Sequence, residues 1–236
     1  MANPYFQFKQ FTVFHDRCAM KVGTDGVLLG AWVNIENSQS ALDIGTGTGL
    51  IALMMAQRNP TLQVDAIDID ADAIIQAKIN CNQSPFAKRI SIQQVDLQSY
   101  TDKTGNYDII VSNPPFFSRA LKSPDRQRTL ARHNDSLSVS ELISKASTLL
   151  SDKGKLSIIY PFEEKANILQ NASNNNLYAT RITTVYSTPD AQPKRILVEL
   201  SKTHETLSEN DLVIEIARHT YSDAFSSLVK DFYLKL

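Results

Sequence analysis

Cysteine is nearly absent from this chain: Cys18 and Cys81 are the only two in 236 residues. Sixty-odd residues apart, they form neither a disulfide framework nor a metal-ligand motif, so two reduced, half-buried thiols and no bound metal are expected. No apolar run approaches the roughly 20 residues needed to cross a bilayer. The start, Met1-Ala2-Asn3-Pro4-Tyr5-Phe6, has no basic stretch leading into an apolar core, so no secretory leader is expected and the reading is cytoplasmic. An excess of one charge is missing too. Lys and Arg number 24 against 25 Asp and Glu, for a net charge of −1. A uniformly basic nucleic-acid-binding protein is therefore excluded, and any positive surface must be local. Internal repeats are absent, and so is the Gly-x-x-x-x-Gly-Lys-Ser/Thr pattern, which excludes a P-loop NTPase.

What is present is an alternation of strand and helix. Residues 40–44, 62–67, 90–95, 107–111 and 155–160 read as buried strands. Residues 50–58, 71–81, 138–150 and 163–173 read as helices, with Ser138 and Glu141 spaced as a capping box. Elements alternating at this length require crossover connections and a mostly parallel sheet. Residues 178–186 and 195–200 break the pattern. They are two strand-like runs joined by a loop too short for a crossover, so they pair antiparallel. The expected fold is α/β and Rossmann-like, a seven-stranded mostly parallel sheet ending in an antiparallel pair. Residues 36–202 form this core, 1–35 an N-terminal extension with a hairpin-like piece and a helix over 24–32, and 203–236 a tail without an assigned role.

Asp43-Ile44-Gly45-Thr46-Gly47-Thr48-Gly49 lies between the first core strand and its helix. Gly45, Gly47 and Gly49 let the backbone turn tightly and approach a nucleotide, with the N–H groups of a helix N-terminus behind it. The third glycine comes one residue sooner than in a dinucleotide fingerprint, and an acid precedes the turn. A ribose needs a carboxylate at the end of the next strand. Asp68 is about 20 residues past the turn and has that position; Asp70 reads as the N-cap of the next helix and Asp65 as a structural contact. Asp96, ending the third strand, reads either as a contact to an adenine amine or as a turn residue. The early glycine, Asp68 and the missing P-loop together point to S-adenosylmethionine.

Asn113-Pro114-Pro115-Phe116 closes the strand over 107–111. Two prolines cannot donate to a sheet ladder, so the strand stops there and the loop is stiff. An amine conjugated to a ring or carbonyl is a poor nucleophile because its lone pair is delocalised. Acceptors on both of its hydrogens, the Asn113 side-chain oxygen and the Pro114 carbonyl, draw it towards tetrahedral geometry, and Phe116 offers a stacking face. Directly after the motif come Arg119, Lys122, Arg126, Arg128 and Arg132 against the single acid Asp125, then His133. Together with Lys194 and Arg195, which open the last core strand, they are candidate phosphate contacts for RNA.

These motifs resemble the Asn-Pro-Pro-aromatic methyltransferases, which act on adenine or guanine exocyclic amines or on a glutamine amide. Phe11-Thr12-Val13, then Met20-Lys21-Val22-Gly23-Thr24-Asp25-Gly26-Val27-Leu28-Leu29-Gly30-Ala31-Trp32, with Ile79-Asn80-Cys81-Asn82-Gln83-Ser84-Pro85-Phe86, are similar to the bacterial tRNA1(Val) adenine-N6 methyltransferases. That resemblance implies methylation of the adenine 3′ of the anticodon, at position 37, in tRNA. It also implies that Lys21, Gly23 and Thr24 flank the methionine end of the cofactor. Many members have Tyr where this chain has Phe116, which keeps the stacking face and removes a hydroxyl. A guanine-N2 rRNA enzyme, a glutamine-N5 protein enzyme and a non-catalytic RNA-binding module are the alternatives. The protein-glutamine enzymes are disfavoured because no separate substrate-recognition segment is visible before Asp43. Oligomeric state is left open, with a monomer favoured.

Overall fold

The computed structural model describes residues 3–18, 21–101, 106–115 and 137–236. The chain opens with an antiparallel hairpin, β1 (Tyr5–Gln7) and β2 (Thr12–Phe14), followed by helix α1 (Thr24–Trp32). Strand and helix then alternate through β3 (Ser40–Ile44), α2 (Leu50–Arg58), β4 (Gln63–Asp68), α3 (Ala71–Asn82), β5 (Ile90–Gln94) and β6 (Tyr107–Ser112). Helix α4 (Val139–Leu149), β7 (Leu150–Pro161), α5 (Lys165–Asn174), β8 (Tyr178–Tyr186) and β9 (Arg195–Ser201) complete the core. The tail adds β10 (Ser208–Val213), a small hairpin of β11 (Glu215–Ala217) and β12 (Thr220–Tyr221), and helix α6 (Asp223–Val229).

The main sheet runs in the order β5-β4-β3-β6-β7-β9-β8-β10. Strands β5, β4, β3, β6 and β7 are parallel, whereas β9 is antiparallel to both β7 and β8. This is the expected seven-stranded arrangement with one strand added. The eighth, β10, lies parallel to β8 at the sheet edge, from Ser208 beside Arg181 to Val213 beside Tyr186. Its sequence, Ser208-Glu209-Asn210-Asp211, is exposed and polar and carries no buried alternation from which a strand could be read. Polar side chains there also suit an edge that must not pair with another chain.

Alternation along the strands separates two cores. In β3, Leu42 and Ile44 pack with α4 and α5 residues such as Leu142, Ile143 and Ile168, whereas Ala41 packs on the opposite face with α1 and α2. Asp43, two residues from Ala41, has the same facing by the period of two. Local signals agree with the elements formed. Ser138 and Glu141 make the reciprocal capping box of α4, and Asp70 caps α3 by accepting from the Asp72 N–H at 2.8 Å. Asp65 is the structural contact expected, accepting from the Tyr107 hydroxyl at 2.6 Å.

The tail acts as a brace. Phe225, Val229 and Phe232 are buried in the α1–α2 core, and the Phe232 carbonyl accepts from the Lys9 N–H in the N-terminal hairpin at 2.8 Å. The Gln57 amide of α2 donates to the Asp231 carbonyl at 2.9 Å. The first and last segments thus hold each other on one face of the sheet.

Helix α1 is pressed onto α2. A Cβ added at Gly30 would lie 2.7 Å from the Met54 sulfur and 3.0 Å from the Met54 Cβ. Replacing a glycine with alanine in an open helix stabilises by about 1 kcal/mol, but overpacking costs about 1–3 kcal/mol, so the clash should win. Gly30→Ala is expected to lower the melting temperature by about 2–6 °C. A rise in thermal unfolding temperature would show that α1 does not depend on this close approach.

Candidate active site

Three neighbouring parallel strands end together, and the site is built on that edge. Ile44 of β3 is in register with Ile67 of β4 on one side and Ser112 of β6 on the other. The residues one step further, Gly45, Asp68 and Asn113, therefore leave the sheet side by side. Two contacts fix the edge: the Gly45 N–H donates to the Ile67 carbonyl at 2.9 Å, and the Ser112 hydroxyl donates to the Ile44 carbonyl at 2.9 Å. The chain reverses its direction of travel across the sheet between β3 and β6, which is where open α/β sheets form a crevice for ligands.

The glycine turn needs glycine for its backbone conformation. Gly45 and Gly47 have φ of 70° and 57°, in the left-handed region where a side chain is strained. A Cβ built at either would meet no atom within 4 Å, so the space in front of the turn is open. Gly49 starts α2 and lies against Cys81. Asp68 is tied to the same turn, with Oδ2 accepting from the Gly47 N–H at 2.9 Å and Oδ1 from the Asp70 N–H at 3.0 Å. Burial pushes its carboxyl above the usual range, while those two N–H bonds pull it back. Each carboxylate oxygen has a further lone pair, so two vicinal hydroxyls can still bind there.

At this edge two buried oxygens have no donor among the described residues. Asp43 is fully buried; its Oδ2 accepts from the Thr46 hydroxyl at 2.7 Å and the Ala52 N–H at 3.2 Å, and Oδ1 has no partner among the described residues. The Asn113 Oδ1 is likewise buried without a partner among them. Unpaired buried acceptors are costly and mark places where a donor or cation belongs. The Asp43 oxygen, with the open glycine turn and Asp68, fits a cationic ligand carrying a ribose, which is the chemistry of S-adenosylmethionine, while the Asn113 oxygen fits an N–H donor of a second molecule.

The remaining sequence candidates are placed as follows. Lys21, Gly23 and Thr24 are exposed and lead into α1, whose Gly26 brings the helix to Asn113: a Cβ there would be 3.8 Å from its amide nitrogen. Asp96 is exposed after β5, and its side chain makes no hydrogen bond to the 3-10 turn that follows it. Pro114 is buried. Lys194 is exposed, whereas the Arg195 guanidinium is engaged with Asp25 of α1 at 2.8 Å, a role with no sign in the basic pattern. Phe116, Arg119, Lys122, Arg126, Arg128, Arg132 and His133 lie outside the described residues. Among the described residues no cluster of His, Cys, Asp and Glu could hold a metal, and no helix is long and apolar enough to cross a membrane. Cys18 and Cys81 are both free thiols.

Burial without a full set of donors pushes the Asp43 carboxyl up to about 7, against the bonds from Thr46 and Ala52 that lower it. In the unfolded chain it titrates near 3.9. The folded state thus binds the extra proton between these values, and stability falls as pH rises from about 4 to about 7. Asp43→Asn should flatten that slope and gain stability over the parent chain at pH 8 but not at pH 4, by a few kcal/mol in urea unfolding. An unchanged slope would mean that Asp43 is ionised throughout.

Comparison with known proteins agrees with this architecture. The model of the methyltransferase small domain family matches residues 18–181. A tRNA1(Val) (adenine(37)-N6)-methyltransferase of Parabacteroides distasonis is 52% identical over the whole of both chains, and one of Bacteroides fragilis strain YCH46 is 48% identical, also over the whole of both. The crystal structure of a protein described as a predicted O-methyltransferase from Agrobacterium tumefaciens superposes with a TM-score of 0.72 at 18% identity, over 88% of this chain and 96% of that one. At that identity the likeness speaks for the fold, a Rossmann-like class I methyltransferase. The chain belongs to the methyltransferase small domain family and, within it, to the group of the tRNA1(Val) (adenine(37)-N6)-methyltransferases.

Proposed function

We propose that this protein uses S-adenosylmethionine to methylate the exocyclic N6 amine of an adenine in tRNA, the one at position 37 beside the anticodon of tRNA1(Val). The observation that carries the reading is the buried, unpartnered Oδ1 of Asn113, one step beyond β6 and beside the glycine turn. An acceptor held there has no purpose in the sheet. It suits an amine hydrogen delivered from outside. The full-length relatives, named for this reaction, supply the identity of the amine.

In this reading Asp68 takes the ribose hydroxyls, Gly45, Gly47 and Gly49 line the turn beneath the cofactor, and Lys21, Gly23 and Thr24 flank its methionine end. The carboxylate of Asp43, buried close behind the turn, favours a cationic ligand, and Asp96 would meet the adenine amine. The cofactor, when bound, supplies an electrophilic methyl group on a sulfonium. The protein's own part is orientation and hydrogen bonding. Asn113 Oδ1 and the Pro114 carbonyl accept the two N6 hydrogens, which withdraws the lone pair from the ring and aims it at the methyl carbon. Phe116 stacks on the target base, which must leave its own stack to reach a pocket. The methylated nitrogen is acidic enough to lose its proton to water, so no strong base is needed. Lys194 and the basic side chains Arg119, Lys122, Arg126, Arg128 and Arg132 would hold phosphates and fix register without reading sequence. A tRNA substrate fits the reading of a cytoplasmic enzyme.

Incubation with methyl-labelled cofactor and unmodified tRNA, rRNA fragments or release factors tests the substrate. Label is expected as N6-methyladenosine in the tRNA pool; N2-methylguanosine or methylglutamine would overturn the assignment. For the mechanism, Asn113→Ala should bind cofactor within about twofold of the parent and lose on the order of 10²–10³ in kcat, as removal of one well-placed transition-state hydrogen bond does. A variant turning over at the parent rate would remove Asn113 from the mechanism.

A further inference from the structure

Helix α3 carries two carboxamides where a helix packed in this way would ordinarily carry apolar side chains. Gln76 and Asn80, one turn apart, are each only 1% exposed. Both reach the same stretch of chain. The Asn80 Oδ1 accepts from the Phe14 N–H at 2.9 Å, and its Nδ2 donates to the Phe14 carbonyl at 2.9 Å and to the Thr48 carbonyl at 2.8 Å. The Gln76 Oε1 accepts from the Arg17 N–H at 3.1 Å. One buried amide therefore joins three segments distant in sequence: α3, the end of β2, and the middle of the glycine turn.

Residues 14–18, which lead out of β2, form a strap whose contacts explain why such a joint matters. Beyond Arg17 the chain passes Cys18, whose thiol is pushed up to about 11 by burial and by the nearby carboxylates of Asp68, Asp70, Asp16 and Asp72. Lys21 and Gly23 then lead into α1, where Gly26 faces Leu50 and Asn113. The strap thus lies on the α3 side of the glycine turn, and Gly26 of α1 lies on its α2 side. A bond from Asn80 to Thr48, between the two positive-φ glycines Gly47 and Gly49, holds the turn in the same grip.

We propose that Asn80, assisted by Gln76, is a positioning residue for the cofactor: it fixes the N-terminal strap against the glycine turn, so that the strap side of the cofactor cleft is preformed. The amide touches no reacting atom and acts only through Phe14 and Thr48. Preformation removes an ordering cost from binding, so its loss should appear in cofactor affinity and not in RNA affinity. The proposal rests on the methyltransferase reading above.

S-adenosylhomocysteine is the probe, with affinity measured by calorimetry on the full chain alongside tRNA affinity, thermal unfolding and hydrogen exchange. Asn80→Ala should weaken the probe about tenfold or more. Gln76→Met keeps the side chain's length and loses only the bond to Arg17, so it should weaken the probe about threefold while unfolding within about 2 °C of the parent. Both should leave tRNA affinity within about twofold and raise the KM for cofactor more than they lower kcat. Amide exchange at Phe14 and Arg17 should quicken in both. If Asn80→Ala does not fold, Gln76→Met decides. Parent-like probe affinity in the variant that folds, whatever its melting temperature, would make these carboxamides supports of the fold alone and overturn the proposal. Failure of the parent protein itself to bind the probe would instead overturn the methyltransferase reading.

Discussion

The register of β3 with its two neighbours is the constraint on which the site depends. Because Ile44 pairs with both Ile67 and Ser112, the glycine turn, the ribose acid and the amine acceptor leave the sheet at one level. A slip of one residue in either pairing would turn Asp68 or Asn113 to the opposite face, since side chains alternate along a strand. The register is held by burial on both faces: Leu42 and Ile44 are locked among α4 and α5 residues while Ala41 is locked on the α2 side. The precision of the site is thus a by-product of core packing.

On that rigid edge the chain keeps two oxygens short of partners. Asp43 and Asn113 each bury an acceptor that no described residue satisfies. Asp43 responds by holding its proton to unusually high pH, which is how a protein tolerates a carboxyl in an apolar setting. A bound cation would reverse that preference and draw the carboxylate into its charged form. The strain is local, and the surrounding core and the braced termini offset it. The bond from Lys9 to the Phe232 carbonyl ties the last residues to the first, and that from Gln57 to the Asp231 carbonyl ties them to α2.

Much of this was legible in the sequence, and for identifiable reasons. Glycines at left-handed positions, prolines after a strand and an acid at a strand end are chemical requirements of the backbone or the ligand, so they survive as motifs. Ser138 with Glu141 and Asp70 as a cap are local hydrogen-bond patterns, legible because both partners lie within one helical turn. Strand β10 was not legible, because an exposed polar edge strand has no hydrophobic period to detect. Arg195 was grouped with the phosphate contacts on charge alone, and its pairing with Asp25 joins residues 170 positions apart. Asn80 lies in a segment that carries the family resemblance, but that it and Gln76 hold the strap shows only when the strap is laid across them.

The sequence by itself determined the kind of ligand and the kind of chemistry: a glycine turn with an acid partner, then Asn113-Pro114-Pro115-Phe116, are short-range patterns whose meaning does not depend on what packs around them. The tertiary structure alone decided which of those residues meet, which acceptors are left open and which charges are already taken. Those outcomes depend on register between strands and on contacts between segments far apart in the chain. No local rule encodes them, because the free energy that selects them comes from burying both faces of the sheet at once.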